Sequence, residues 1–311
     1  MKVNNVNGPP KWMIISAYLM VVVIWSTTPI TIKWSSEGVG HLFGVALRMA
    51  LGACVALILV MISYRKFPVN KTVCKAYSAS ALALYGGMLP VYWGAQYVSS
   101  GLISVIFGLS PIVTGYLAWR FIHEQSFTVM KILGAFAGIA GLLFIFFENT
   151  LRADNYIYGV SAVLLAVFLH SASAVWVKSI KVDLPPLTLV AGGLLFSMPL
   201  FMMTYLASAP ALPETIPTRA IWSILYLGVV GSVVGFVCYY YLLRHLITST
   251  VALITLITPV LALWIGYMFN AEVISTNVYL GTLFVLIGLG LHQWGDALLR
   301  RICKNLNFYL D

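Results

Sequence analysis

The sequence predicts an all-α, polytopic membrane protein with ten transmembrane helices arranged as two inverted five-helix repeats. Three observations predict it. Hydrophobic residues make up 61% of the 311 and charged residues only 9%, whereas a soluble domain carries roughly 45–50% and 25%. Ten apolar runs recur along the chain, each near the ~20 residues that cross a bilayer core. Residues of the first half also reappear in the second at nearly constant offsets.

The composition excludes a water-soluble enzyme, a disordered chain and a collagen-like one, and the mean hydropathy of +0.95 calls for lipid as the solvent. The runs span about 12–32, 42–64, 76–98, 102–121 and 129–147, then 156–177, 187–207, 221–243, 250–269 and 278–298. Each is expected to be helical, because a lipid-facing backbone must satisfy its own hydrogen bonds. The first run is too long for a signal-peptide core and no small-x-small cleavage site follows it, so it reads as a retained span.

Charge orients the chain. With the N-terminus in the cytoplasm, segments on that side hold fourteen Lys and Arg, opposite loops hold three (Lys33, Arg152 and Arg219), and Arg48 lies within a span. Basic residues collect on the cytoplasmic side of membrane proteins. The expectation is a multi-pass protein of the cell's inner membrane with both termini cytoplasmic. This bias also accounts for the net charge of +9, so no nucleic-acid partner is expected. Asn70-Lys71-Thr72 falls on the cytoplasmic side and is discounted as a glycosylation site. Cys54, Cys74, Cys238 and Cys303 show neither a disulfide framework nor a metal spacing, so no metal or cofactor is expected.

The internal repeat divides the chain into 1–150 and 151–311, the second carrying a short tail. An offset of 148 pairs Pro111 with Pro259, Glu124 with Glu272, Tyr92 with Tyr240, Trp93 with Tyr241, Gly87 with Gly235 and Phe121 with Phe269. Offsets of 145 and 147 pair Lys33 with Lys178, Trp25 with His170, Gly134 with Gly281 and Gly141 with Gly288. Five spans per copy is odd, so the second copy enters lipid from the opposite face, as in secondary transporters.

These residues resemble the drug/metabolite transporter superfamily, EamA type, over nearly the whole chain. The resemblance is most specific from Ser99-Ser100-Gly101 through Pro111 to His123-Glu124, and from Thr248-Ser249-Thr250 through Pro259 to Ala271-Glu272. Trp25-Ser26 and Arg48 match the family's patterns in spans one and two. The family usually places Gly before each Glu, where this chain has His123 and Ala271. The resemblance implies a ten-helix carrier that moves small metabolites, often outward, by alternating access.

Arg48 is the leading substrate-site candidate, since the spans hold no acidic residue besides Asp296, which lies near the cytoplasmic end of the tenth. It reads as a clamp on a carboxylate or phosphate, or as a carbonyl-capping or snorkelling side chain. His170 lies mid-span, as a substrate or proton contact or as a satisfied bundle histidine. Trp25, Thr28, Pro29 and Ile32 share one helix face. Tyr92, Trp93, Gln96 and Tyr240 are candidates to line a cavity that stacks on a ring-bearing solute, with lipid- or core-facing aromatics as the alternative. Pro111 and Pro259 read as symmetric hinges. Glu124 and Glu272 are expected to cap the helices that follow them and to serve as gate partners, with a proton-carrier role as the alternative. Gly134-x-x-x-Gly138 and Gly231-x-x-x-Gly235 read as close packing within the chain. Dimerisation through spans five and ten is the alternative, leaving monomer and homodimer open. His292 reads as packing.

The expected function is secondary-active or facilitative transport of a small metabolite, such as export of amino acids or their relatives. Efflux of drug-like compounds and uptake of a nucleobase- or sugar-type metabolite are the alternatives within the fold. No Walker A sequence is present, nor H-E-x-x-H, G-x-S-x-G or an intramembrane Asp pair, which argues against direct ATP use and against a membrane-embedded enzyme. Nothing resembles the charge rings or carbonyl filter of a channel.

Overall fold

The computed structural model describes residues 9–64, 66–124, 128–150, 155–208, 213–252 and 254–308. Lys2, Arg65 and Arg152 of the charge count lie outside them. The described residues are helical with no strand. Grouping consecutive pieces gives α1 (Lys11–Ser36), α2 (His41–Tyr64), α3 (71–94), α4 (Ser100–Ile122), α5 (Val129–Thr150), α6 (Tyr156–Ser179), α7 (Pro186–Ser208), α8 (Thr218–His245), α9 (Thr248–Ala252 and Ile254–Asn270) and α10 (Thr276–Phe308). Among the described residues, seven helices are long and apolar enough to cross a membrane: α1, α2, α4, α6, α7, α8 and, over Thr276–Leu299, α10. Val129–Ile145 and Ile257–Asn270 are shorter apolar helices. The remaining rod, α3, opens on polar residues from Lys71 to Ser80, and Asn70 caps it by accepting the Val73 N–H at 2.9 Å.

Helices α5 and α10 pack along a glycine seam. A Cβ added to Gly134 would lie 2.4 Å from the Gly288 carbonyl oxygen, and one on Gly141 would lie 2.5 Å from that of Gly281. Low residue numbers on one helix therefore meet high numbers on the other, so the two run antiparallel. Under the 147 offset these contacts exchange into one another, as a two-fold axis lying across the helices requires. The seam uses these glycines inside one chain, which is the packing role expected of Gly134. His292 lies in the same seam, with its ring against Gly115.

Three features of the sequence reading change. Pro111 is not a mid-helix kink: α4 breaks at Gly108-Leu109, and Pro111 starts the second piece, Ser110–Ile122, where its missing N–H has no helical partner to lose. Pro259 instead lies inside the helix Ile254–Asn270, so the two prolines are not equivalent bends. Second, α3 and α8 each contain a π-helical stretch, Leu82–Gly87 and Leu227–Val234, which overlap under the 148 offset. Such bulges widen a helix locally and leave carbonyls without ordinary partners. Third, the residues that stand in for glycine, His123 and Ala271, both adopt left-handed backbone with φ of 54° and 49°. Each ends its helix the same way, with the following Glu N–H returning to the carbonyl of Ala118 at 3.4 Å or of Gly266 at 3.1 Å. A side chain in that conformation costs roughly 1–2 kcal/mol, accepted here twice at matched positions.

Candidate functional site

A small cavity of about 60 Å³ lies among α1, α2, α3, α4, α6, α8 and α9, room for a few water-sized groups. Trp25, Thr28, Pro29 and Ile32 line it from α1, Arg48 from α2, Met88 and Val91 from α3, and Ile103, Ser104 and Phe107 from α4. His170, Phe236, Thr255 and Thr258 close the other side. Three repeat-related pairs meet there: Trp25 with His170, Met88 with Phe236, and Phe107 with Thr255. The chamber therefore sits where residues related by the internal offsets face each other. The rings of Trp25 and His170 touch edge to face at 5.5 Å.

The Arg48 side chain is 1% exposed. Its Nε donates to Ser232 Oγ at 2.9 Å, and its Nη1 is buried without a partner. The guanidinium lies 5.9 Å from the centre of the Tyr92 ring, within cation–π range. Its geometry comes from the second π stretch, which carries Ser232 and also Gly231, where an added Cβ would stand 3.2 Å from Nη2. His170 is buried among Trp25, Phe107, Phe236 and Tyr239, with ring centres at 5.3–6.2 Å, and its Nδ1 has no partner.

Not every expected residue reaches the chamber. Tyr92 sits beneath Arg48 and shares a hydrogen bond with Ser35 at 3.1 Å. It opens instead into a separate pocket with Lys33, Gln96 and Asn270. Gln96 is exposed there, with its amide donating to the Trp93 carbonyl at 3.1 Å. Trp93 points away, into a groove with His41 and Tyr158. Successive helical residues are about 100° apart, so Tyr92 and Trp93 cannot both face inward. Tyr240 donates to Ser80 Oγ at 3.0 Å and lines a separate pocket with Lys178, Lys181 and Arg244 at the other end.

The two glutamates tie the copies together. Glu272 does not cap α10, which follows it. Its carboxylate accepts the backbone N–H groups of Ser100 at 2.9 Å and Gly101 at 3.2 Å, at the start of α4. Glu124 reciprocates across the molecule, accepting the N–H and hydroxyl of Thr248 at the start of α9 and pairing with Lys178 at 2.5 Å. The matched lysines do the same work at opposite ends: Lys33 donates to the Val98 carbonyl at 2.8 Å and Lys178 to that of Leu246 at 2.6 Å. Burial alone would raise the Glu124 pKa. The hydrogen bonds from Lys178 and Thr248 outweigh it and hold the carboxyl below its ordinary value. Carboxylates at helix N-termini are stabilised in this way, so the capping chemistry is as expected while its target is the opposite copy.

The model of the EamA-like transporter family matches residues 11–147 and, again, 157–292. The chain belongs to this family. This EamA-like protein is 26% identical over 274 residues to "Uncharacterized transporter YoaV" of Bacillus subtilis (strain 168), covering 87% of this chain and 93% of the relative. It is 24% identical over 281 residues to "Protein PagO" of Salmonella typhimurium, covering 88% and 90%. It is also 24% identical over 290 residues to "WAT1-related protein At3g02690, chloroplastic" of Arabidopsis thaliana, covering 88% and 67%. A solved crystal structure shares the fold with a TM-score of 0.66 at 14% identity, over 94% of this chain and 99% of that one.

Phe107, Phe236, Ser104, Thr255, Thr258, Met88 and the Arg48 partner Ser232 were not singled out in the sequence. Applying the 148 offset to Met88 finds Phe236, and applying it to Phe107 finds Thr255. Ser232 has no such signal, because the π stretch that turns it toward Arg48 leaves no mark in hydropathy.

Proposed function

We propose that this EamA-like transporter carries a small organic solute bearing an anionic group across the cell's inner membrane, through ten spans and by alternating access. The Arg48 guanidinium carries the reading: it is buried, one edge is fixed by Ser232 and the other is unpartnered. A buried permanent charge is costly without a counter-group, and an anion entering the chamber supplies one. The apolar lining receives the rest of the solute. Amino acids and their relatives fall within this description, with export as the direction the family resemblance suggests.

The positive-inside bias puts the Glu124 end in the cytoplasm and the Glu272 end outside. Each clasp bridges the two copies at one end of the chamber. Opening the chamber to a face breaks the clasp on that face and leaves the other in place, so Glu124 and Glu272 act as gate partners. The broken helix at Gly108-Leu109 and the two π stretches are the places where the rods bend. The driving force is a solute gradient or a coupled ion rather than bound nucleotide.

Counterflow in proteoliposomes tests the reading. Unlabelled solute trapped inside is expected to accelerate entry of the labelled solute several-fold over empty vesicles. Entry that is equally fast without trans solute would indicate a channel, and chemical conversion of the solute would indicate an enzyme.

A further inference from the structure

Charge balance inside the chamber narrows the solute class, and this inference rests on the transport reading above. Among the described residues, Arg48 is the only permanently charged one in the lining. The other polar groups there are the hydroxyls of Thr28, Ser104, Thr255 and Thr258, the Trp25 indole N–H and the His170 ring, and no described Asp or Glu lines the cavity. Glu124 and Glu272 are engaged at its two ends by Lys178, Thr248, Ser100 and Gly101.

An ion held away from water needs a countercharge. A monoanion beside Arg48 makes the loaded chamber neutral. A zwitterion neutralises Arg48 with its carboxylate but brings an ammonium that meets only hydroxyls and rings. An amine puts two positive charges together, and a dianion leaves one negative charge over. Hydroxyls can accept from an ammonium but carry no charge to neutralise it. The best cation–π partner, Trp25, is packed against His170, Phe236 and Tyr239 with ring centres at 5.1–6.3 Å.

We propose that the chamber selects a small monocarboxylate with an apolar or aromatic body and no ammonium group. The carboxylate takes the free Nη1 edge of Arg48. The body lies among Ile32, Met88, Ile103, Phe107 and Phe236. Carrying such a solute alone moves one negative charge across the membrane per cycle.

Matched triplets test this in proteoliposomes: acid, amino acid and amine on the same aromatic, branched or straight-chain body, such as 3-phenylpropanoate, phenylalanine and phenethylamine. Each is scored by trans-stimulated flux and by thermal stabilisation of the purified protein. The acid of at least one triplet is expected to be preferred over its amino acid by about tenfold or more, and its amine to be inert. A potential of 100 mV is expected to shift the steady-state acid ratio by up to about fiftyfold. Both effects are lost in Arg48→Gln, and Arg48→Lys retains a weakened preference for the acid. Amino acids or amines moved as well as their acids would overturn the monocarboxylate assignment while leaving transport standing. No flux and no stabilisation from any member of any triplet would overturn both.

Discussion

Arg48→Met is expected to stop solute movement and, in the same protein, to raise the melting temperature of the empty carrier. The side chain is buried with an unpartnered Nη1. A charge at that depth costs about 2.5 kcal/mol or more. Methionine follows much the same path through the core without the charge. The loss on the other side is the bond to Ser232, worth about 1.5 kcal/mol at the low end for a bond to a charged group. The net gain of about 1 kcal/mol corresponds to a rise of about 2 °C for a chain of this size. Transport is expected to fall about a hundredfold or more, because removing one partner of a buried charge pair costs about 2–5 kcal/mol. Flux per inserted protein and scanning fluorimetry on one preparation read both quantities. A lower melting temperature with transport intact would make Arg48 a structural cap.

The glycine seam between α5 and α10 is expected to give the largest losses of stability. Gly288→Ala puts a methyl 2.5 Å from the Gly134 carbonyl oxygen and 2.7 Å from the Gly138 nitrogen. Both contacts are backbone, so the helices themselves must separate. Overpacking of this kind costs about 1–3 kcal/mol for a methyl, and Gly288→Leu or Gly141→Leu is expected to abolish recovery of folded protein. Gly290 is the internal control, because an added Cβ there meets nothing within 4 Å. Gly290→Ala is expected to leave the melting temperature unchanged or raise it slightly, since Ala is favoured over Gly in a helix by about 1 kcal/mol. Equal melting temperatures for Gly288→Ala and Gly290→Ala would contradict the seam.

Most of the architecture is legible in the sequence because lipid imposes one simple rule, a long apolar run per helix. The offsets carry more than span count. Pairing Gly134 with Gly281 and Gly141 with Gly288 already implies an antiparallel seam once a two-fold is assumed, and the contacts of the seam obey it. The same symmetry makes Glu124 and Glu272 behave alike but does not say whether each carboxylate turns to its own copy or to the other. Reading each glutamate against its own next helix missed the contact with the other copy, because local capping rules contain no information about partners more than a hundred residues away. Side-chain direction was the harder part. Trp25, Thr28, Arg48 and His170 reach the chamber, while Tyr92, Trp93, Gln96 and Tyr240 open into separate pockets. In an all-apolar helix the inward and lipid-facing sides have the same hydropathy, so periodicity cannot tell them apart. The π stretches add to the difficulty by rotating everything beyond them.

The central claim is a single chamber shared by two oppositely threaded copies and opened to one face at a time. The most direct measurement is the reaction of Thr28→Cys, in a background without native cysteines, with a membrane-impermeant thiol reagent added to one side and then the other. The account predicts labelling from either face, with solute that shifts the carrier toward one face raising labelling there and lowering it from the opposite side. Labelling from only one face under every solute condition, or simultaneous increases from both, would contradict it.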